Sequence, residues 1–131
     1  MTSVARTRRK SALLFSAAVL LAAPAAADER FPVDGNYGNV EGCKAAANQE
    51  TSSDDLLYLT PEAVGTYATY CTPLAIWKSY GNAFVAPVTC GHEGEDTITI
   101  GHVRIVKADG RDAYSIYNED GTLWGEAKRC P

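Results

Sequence analysis

Four cysteines, Cys43, Cys71, Cys90 and Cys130, all lie downstream of a segment with the layout of a secretory leader. An even number of cysteines in an exported chain reads as two disulfides. Their spacings of 28, 19 and 40 residues contain no C-x-x-C pair, so a zinc site is a poor reading. Ser79-Tyr80-Gly81-Asn82 is a turn signal between two runs of strand-forming residues. A turn centred between Tyr80 and Gly81 sets Cys71 directly opposite Cys90, where paired strands bring two Cβ atoms within bridging distance. Cys43 is then left for Cys130, which ties the start of the domain to its end. Loop-closure entropy gives these bridges about 3 and about 4 to 5 kcal/mol, comparable to the whole stability of a small domain.

Arg6, Arg8, Arg9 and Lys10 form a positive start, 11–23 is an apolar run, and Ala25, Ala26 and Ala27 are small residues before Asp28. This is the pattern of a cleaved signal peptide, expected over 1–27, leaving a single domain over 28–131. The apolar run falls short of the roughly 20 residues a bilayer span requires. An address in the periplasm or outside the cell follows, with no membrane attachment once the leader is removed. The 28–131 segment holds eight basic and sixteen acidic side chains, a formal charge of −8 against −4 for the whole chain. One small core is all this length allows, which excludes a two-domain enzyme with an interdomain cleft. Such acidity, with no basic cluster outside the leader, argues against nucleic acid and anionic lipid surfaces and leaves basic proteins, cations or nothing as electrostatic partners.

Along the domain, 28–39 reads as a looped or extended lead-in, and Glu41 to Gln49 has the composition of a short helix. Thr60-Pro61-Glu62 fits either a helix start or a turn between strands. The Gly, Thr and Tyr content of the following Val64 to Cys71 favours the turn and a strand over 64–71. Leu74 to Lys78 and Ala83 to Cys90 form the arms of the cysteine hairpin, with Pro73 and Pro87 at an edge or bend because proline cannot donate to a ladder. From Thr97 the apolar phase runs through Ile98 and Ile100, then jumps to Val103 and Ile105. A β-bulge or corner is therefore expected at Gly101-His102. Asp109-Gly110 and Asn118-Glu119-Asp120-Gly121 are turns, so 97–107, 111–117 and 122–129 form an antiparallel meander. Six or seven short strands with regular turns predict an all-β domain, an antiparallel meander closing into a small barrel or compact sandwich, with a short helix near its start.

The densest polar group is Gly91-His92-Glu93-Gly94-Glu95-Asp96. His92, Glu93, Glu95 and Asp96 offer the hard donors of a divalent-cation loop, although the spacing fits neither a zinc-protease helix nor an EF-hand. A solvated acidic loop that discourages edge pairing is the competing reading. Nucleophilic catalysis lacks its parts: no G-x-S-x-G motif, only His92 and His102 as bases, and every thiol assigned to a bridge. No enzyme and no cofactor are implied. Trp77 and Tyr80 at the hairpin tip, with Glu93 and Glu95, are the candidates for partner contact. The alternative for Trp77 and Trp124 is that they plug the ends of the barrel.

The stretches D-D-L-L-Y-L-T-P-E-A-V-G-T-Y-A-T-Y-C, V-T-C-G-H-E-G-E-D and D-G-T-L-W-G-E-A-K-R-C resemble a group of small exported two-disulfide β-proteins of alphaproteobacteria. The likeness spans most of 34–131 and rests on Cys71, Cys90, Glu93, Gly94 and Cys130. It implies a disulfide-bonded periplasmic β domain and carries over no catalytic residue. In size, export, bridging and charge the chain is also similar to periplasmic lysozyme inhibitors, small β-barrels that plug the cleft of a strongly basic enzyme. The leading expectation is a non-enzymatic exported protein that binds or inhibits a basic protein such as a lysozyme-like hydrolase. A cation-binding envelope protein using 91–96 and a structural envelope component are the alternatives; the oligomeric state is not legible in the sequence.

Overall fold

A computed structural model describes residues 29–75 and 78–131. The leader and Trp77 lie outside the described residues. Among the described residues the elements are β1 (Tyr37–Gly38), α1 (Val40–Ala46), β2 (Leu57–Leu59), β3 (Val64–Thr66), β4 (Thr69–Pro73), β5 (Lys78–Tyr80), β6 (Ala83–His92), β7 (Ile98–Lys107), β8 (Ala113–Tyr117) and β9 (Leu123–Arg129). Every pairing is antiparallel, in the order β4-β3-β2-β1-β9-β8-β7-β6, and β6 returns to β4. Eight strands thus close into a barrel, and β5 extends from β6 as a side hairpin. Closure removes most of the unpaired edge that an open sheet would expose. Its interior is filled by Tyr37, Leu59, Val64, Val88, Val103, Ile105 and Ile116, all of them shielded from solvent.

Both disulfides form as the sequence suggests, Cys43–Cys130 and Cys71–Cys90. The hairpin reaches that pairing differently. Tyr80 faces Ala83 and Lys78 faces Val85, so the turn is Gly81-Asn82, one residue later than expected, with Gly81 at φ 52°. Counting down both arms from that turn would miss the Cys71–Cys90 match by two residues. The arm before the turn carries two extra residues between Pro73 and Lys78, and these restore Cys71 opposite Cys90.

The expected strand over 64–71 folds back on itself. Val64 and Cys71 are both fully buried, yet they are seven residues apart and would face opposite sides of one straight strand. Reversal across Tyr67-Ala68 sets them opposite each other, both facing inward. The turn at Thr60 to Ala63 is built as the sequence indicates: the Thr60 hydroxyl accepts from the Glu62 and Ala63 amides. Part of the looped lead-in becomes β1, held between β2 and β9.

The bulge expected at Gly101-His102 is absent. The ladder between β6 and β7 runs without a shift from Ala83↔Val106 to Gly91↔Ile98. The change of apolar phase has another cause, because Ile98 and Ile100 point outward into solvent while Val103 and Ile105 point inward. The register shift lies between β8 and β9, where Trp124 is the extra residue and Gly125 takes φ 153°. A bulge re-aims a side chain, and here Trp124 packs against the core.

Candidate binding surface

α1 lies on the outside of the barrel across β1 and β2. Asn39 caps it by accepting from the Gly42 amide at 2.7 Å, and the same oxygen accepts from the Leu57 amide at 3.1 Å. Cys43–Cys130 then joins the helix to the end of β9.

Behind this junction the buried Tyr37 hydroxyl meets Asp34, Asp112 and Arg129. It accepts from Arg129 Nη2 at 2.6 Å and has a carboxylate oxygen of each aspartate in reach to take its proton. Arg129 also pairs with both aspartates. The Tyr37 hydrogen bond and then Arg129 hold Asp34 below the usual carboxylate range; for Asp112 the Arg129 bond leads. Burial, reinforced by the two carboxylate acceptors, pushes the Tyr37 phenol far up. The group clamps the lead-in, β1, the start of β8 and β9 together, and no local sequence signal marks it because its members lie up to 95 residues apart.

Around the barrel from this clamp, one register row on the outer face reads Gly38, Tyr58, Gly65, Tyr70, Gly91, Ile98. Small and large residues alternate. The Tyr58 ring lies over Gly65, where an added Cβ would sit 2.6 Å from the phenol oxygen. Burial, and after it the neighbouring Tyr70, raises the Tyr58 phenol to about 12. Gly91 has open space where a Cβ would be, which leaves a notch between Tyr70 and Ile98. The next row is Thr72, Thr89 and Ile100. Tyr67 is 50% exposed, Tyr70 53%, Ile98 73% and Ile100 75%. A shallow cleft of about 490 Å³ lies among Tyr58, Tyr67, Tyr70, Gly91 and Glu93. The Glu93 amide donates to Ala68 O at 2.9 Å, fixing the acidic loop against the turn that carries Tyr67.

His92, Glu93, Glu95 and Asp96 are not drawn into one site: among the described residues no three His, Cys, Asp or Glu side chains are placed to hold a metal ion. His92 faces the opposite side of the sheet from Gly91, between two threonines. Thr69 Oγ1 lies 3.0 Å from Nδ1 and Thr99 Oγ1 3.1 Å from Nε2, and Thr99 in turn reaches Cys90 O at 3.5 Å. If Thr99 donates to that carbonyl, it accepts from Nε2–H, and Nδ1 accepts from Thr69. Both ring nitrogens are then occupied, and neither is presented to a ligand.

Tyr80 is exposed at the hairpin tip, with Lys78 Nζ 4.7 Å from its ring centre. The structure does not bring it together with Glu93 and Glu95. They lie at opposite ends of β6, about 30 Å apart at the usual rise per strand residue. Glu93 instead borders the Tyr67–Tyr70 surface. That surface was hard to read from sequence because its members come from three segments that meet only when β4 pairs with β6.

Fold and surface define a disulfide-bonded, closed antiparallel β-barrel with an exposed aromatic and aliphatic stripe on one outer wall. No family model matches the chain, and no curated protein and no solved structure matches it. Among the described residues, no helix is long and apolar enough to cross a membrane.

Proposed function

We propose that this is an exported, non-enzymatic binding protein that holds a basic protein partner against the outer wall formed by β4, β6 and β7. One observation carries the reading: Tyr67, Tyr70, Ile98 and Ile100 stand exposed on adjoining segments around the open backbone of Gly91, with Glu93 at the rim. Apolar side chains clustered in this way, with charge around them, have the composition of a protein interface. The charge of −8 over 28–131 suits a cationic partner and accelerates encounter with it. Both disulfides suit an oxidising compartment, the periplasm or the exterior. The non-enzymatic reading is supported by the engagement of His92 and by the bonding of all four cysteine sulfurs to each other.

The test uses a lysozyme as the basic probe, with binding followed by biolayer interferometry. Association is expected to slow as salt rises, and Tyr70→Ala is expected to weaken binding about thirty-fold, the size of an interface hot spot. Failure to bind lysozyme or other cationic envelope proteins at low salt would count against the proposal. So would a Tyr70→Ala variant that binds as tightly as the parent.

A further inference from the structure

β7 is longer than its neighbour. It pairs with β8 only from Arg104 to Lys107, so among the described residues no strand adjoins the far edge of 98–100. Two backbone bonds show which residues face that edge. Leu74 N–H donates to Pro87 O, which turns the odd-numbered residues of β6 toward β4 and the even-numbered ones toward β7. Lys107 N–H donates to Asn82 O, so the odd-numbered residues of β7 face β6. Ile98 and Ile100 therefore direct both N–H and C=O away from β6, to the side on which β8 receives Arg104 and Val106 further along the strand. Their side chains are the two most exposed isoleucines of the outer wall. An unpaired edge carrying exposed β-branched residues is a template for another strand.

The ends of this edge are acidic. Asp96 precedes it. At the other end Glu119 Oε2 lies 2.8 Å from where a Gly101 Cβ would be, and Glu119 Oε1 lies 3.6 Å from His102 Nδ1. Beside the edge opens a cavity of about 640 Å³ bordered by Val88, Cys90, Thr99, Glu119 and Trp124, which leaves room for the inward side chains of an added strand. A second copy of this chain would bring its own Asp96 and Glu119 to the same acidic edge.

We infer that the edge of β7 at Ile98 and Ile100 receives an extended segment of the basic partner, a short strand with β-branched residues beside these two isoleucines and a Lys or Arg at each end. This deepens the binding function proposed above and rests on it. The outer wall supplies contact area, and the edge supplies backbone hydrogen bonds that fix register and direction.

The probe is the peptide acetyl-Lys-Val-Thr-Val-Lys-amide, titrated into the oxidised protein by two-dimensional amide NMR. Shifts centred on the amides of 97–102 and on Glu119 are expected. N-methylation of both Val amides removes the donors aimed at Ile98 and Ile100 while keeping charge and apolar surface, and should weaken binding about ten-fold or more. Ile100→Pro deletes an amide that bonds to no other strand, so it should abolish the shifts while leaving the thermal midpoint near that of the parent. Glu119→Gln should weaken binding and reduce its salt dependence. Equal binding of the N-methylated peptide, or no binding at millimolar peptide, would overturn the edge assignment while leaving capture of lysozyme by the outer wall to its own test. A dimer of the protein alone that Ile100→Pro dissolves would overturn it in favour of a second copy.

Discussion

Replacing Gly42 by alanine should destabilise the protein, although helix propensity alone predicts the reverse. In an exposed helix, Gly to Ala gains about 1 kcal/mol. In this fold α1 rests on the backbone of β2, and an alanine Cβ at position 42 would stand 1.7 Å from the Leu57 carbonyl oxygen and 2.4 Å from its carbon. Real Cβ contacts essentially never fall below 3.0 Å, so helix and strand must part by more than 1 Å. That movement is resisted by the Asn39 side chain, bonded to both elements, and by Cys43–Cys130. Overpacking of this kind costs about 3 kcal/mol or more where backbone opposes backbone. The net loss is then about 2 kcal/mol after the gain in propensity. With a urea slope of about 1 to 2 kcal/mol per molar for a domain of this size, the midpoint should fall by roughly 1 to 2 M. The assay is equilibrium urea unfolding of oxidised parent and variant, followed by far-ultraviolet circular dichroism and tryptophan fluorescence. A midpoint equal to or above that of the parent would refute the seating of α1 on β2.

The two disulfides should rank by loop length. Their sequence separations are 87 and 19 residues, which gives about 4 to 5 kcal/mol for Cys43–Cys130 and about 3 kcal/mol for Cys71–Cys90. Alanine is used for both pairs because Cys71 is fully buried. Equal or inverted denaturant midpoints for C43A/C130A and C71A/C90A would contradict the ranking. The lowered ionisation of Asp34 and Asp112 contributes stability that is present above the ordinary carboxylate range and lost as pH falls through their folded values. Melting temperature should therefore drop below about pH 4, and D112N should flatten that drop while lowering stability at neutral pH. The phenols of Tyr37 and Tyr58 are raised, so their contribution is complete below the ordinary tyrosine value of about 10 and lost as pH climbs above it. Y58F should reduce the alkaline loss in a pH-jump unfolding series, and an unchanged profile would show that Tyr58 is not shielded. Truncating the Tyr37 hydroxyl in Y37F removes one hydrogen-bonding partner from a buried cluster and should cost about 1 to 3 kcal/mol by the same urea assay.

Much of the architecture was legible because it is written in local chemistry. Turn residues at Asp109-Gly110 and Asn118 to Gly121 separate the last three strands as read, and the short helix read over Glu41 to Gln49 forms as Val40–Ala46, its Asn39 cap unread. The cysteine hairpin was read correctly at Cys71 and Cys90, but through an offsetting error, since the turn came one residue late and two extra residues compensated. Gly101 shows where periodicity misleads. A jump in apolar phase signals a bulge only if every isoleucine of the strand is buried, and Ile98 and Ile100 are not. The surface proposed for binding could not be assembled in advance, because Tyr67, Tyr70, Gly91 and Ile98 become neighbours only through pairings between separate segments.

The amino-acid sequence alone determined that this is a disulfide-stapled β domain with its final meander in place, because cysteine number, turn chemistry and strand propensity are properties of a residue and its near neighbours. The tertiary structure decided that the barrel closes through β4 against β6, that β3 and β4 reverse on each other, that Trp124 packs against the core, and that one stretch of β7 is left without a neighbouring strand. Those outcomes depend on register and relative strand length across the whole ring, and a ring has no register until its last pair is made.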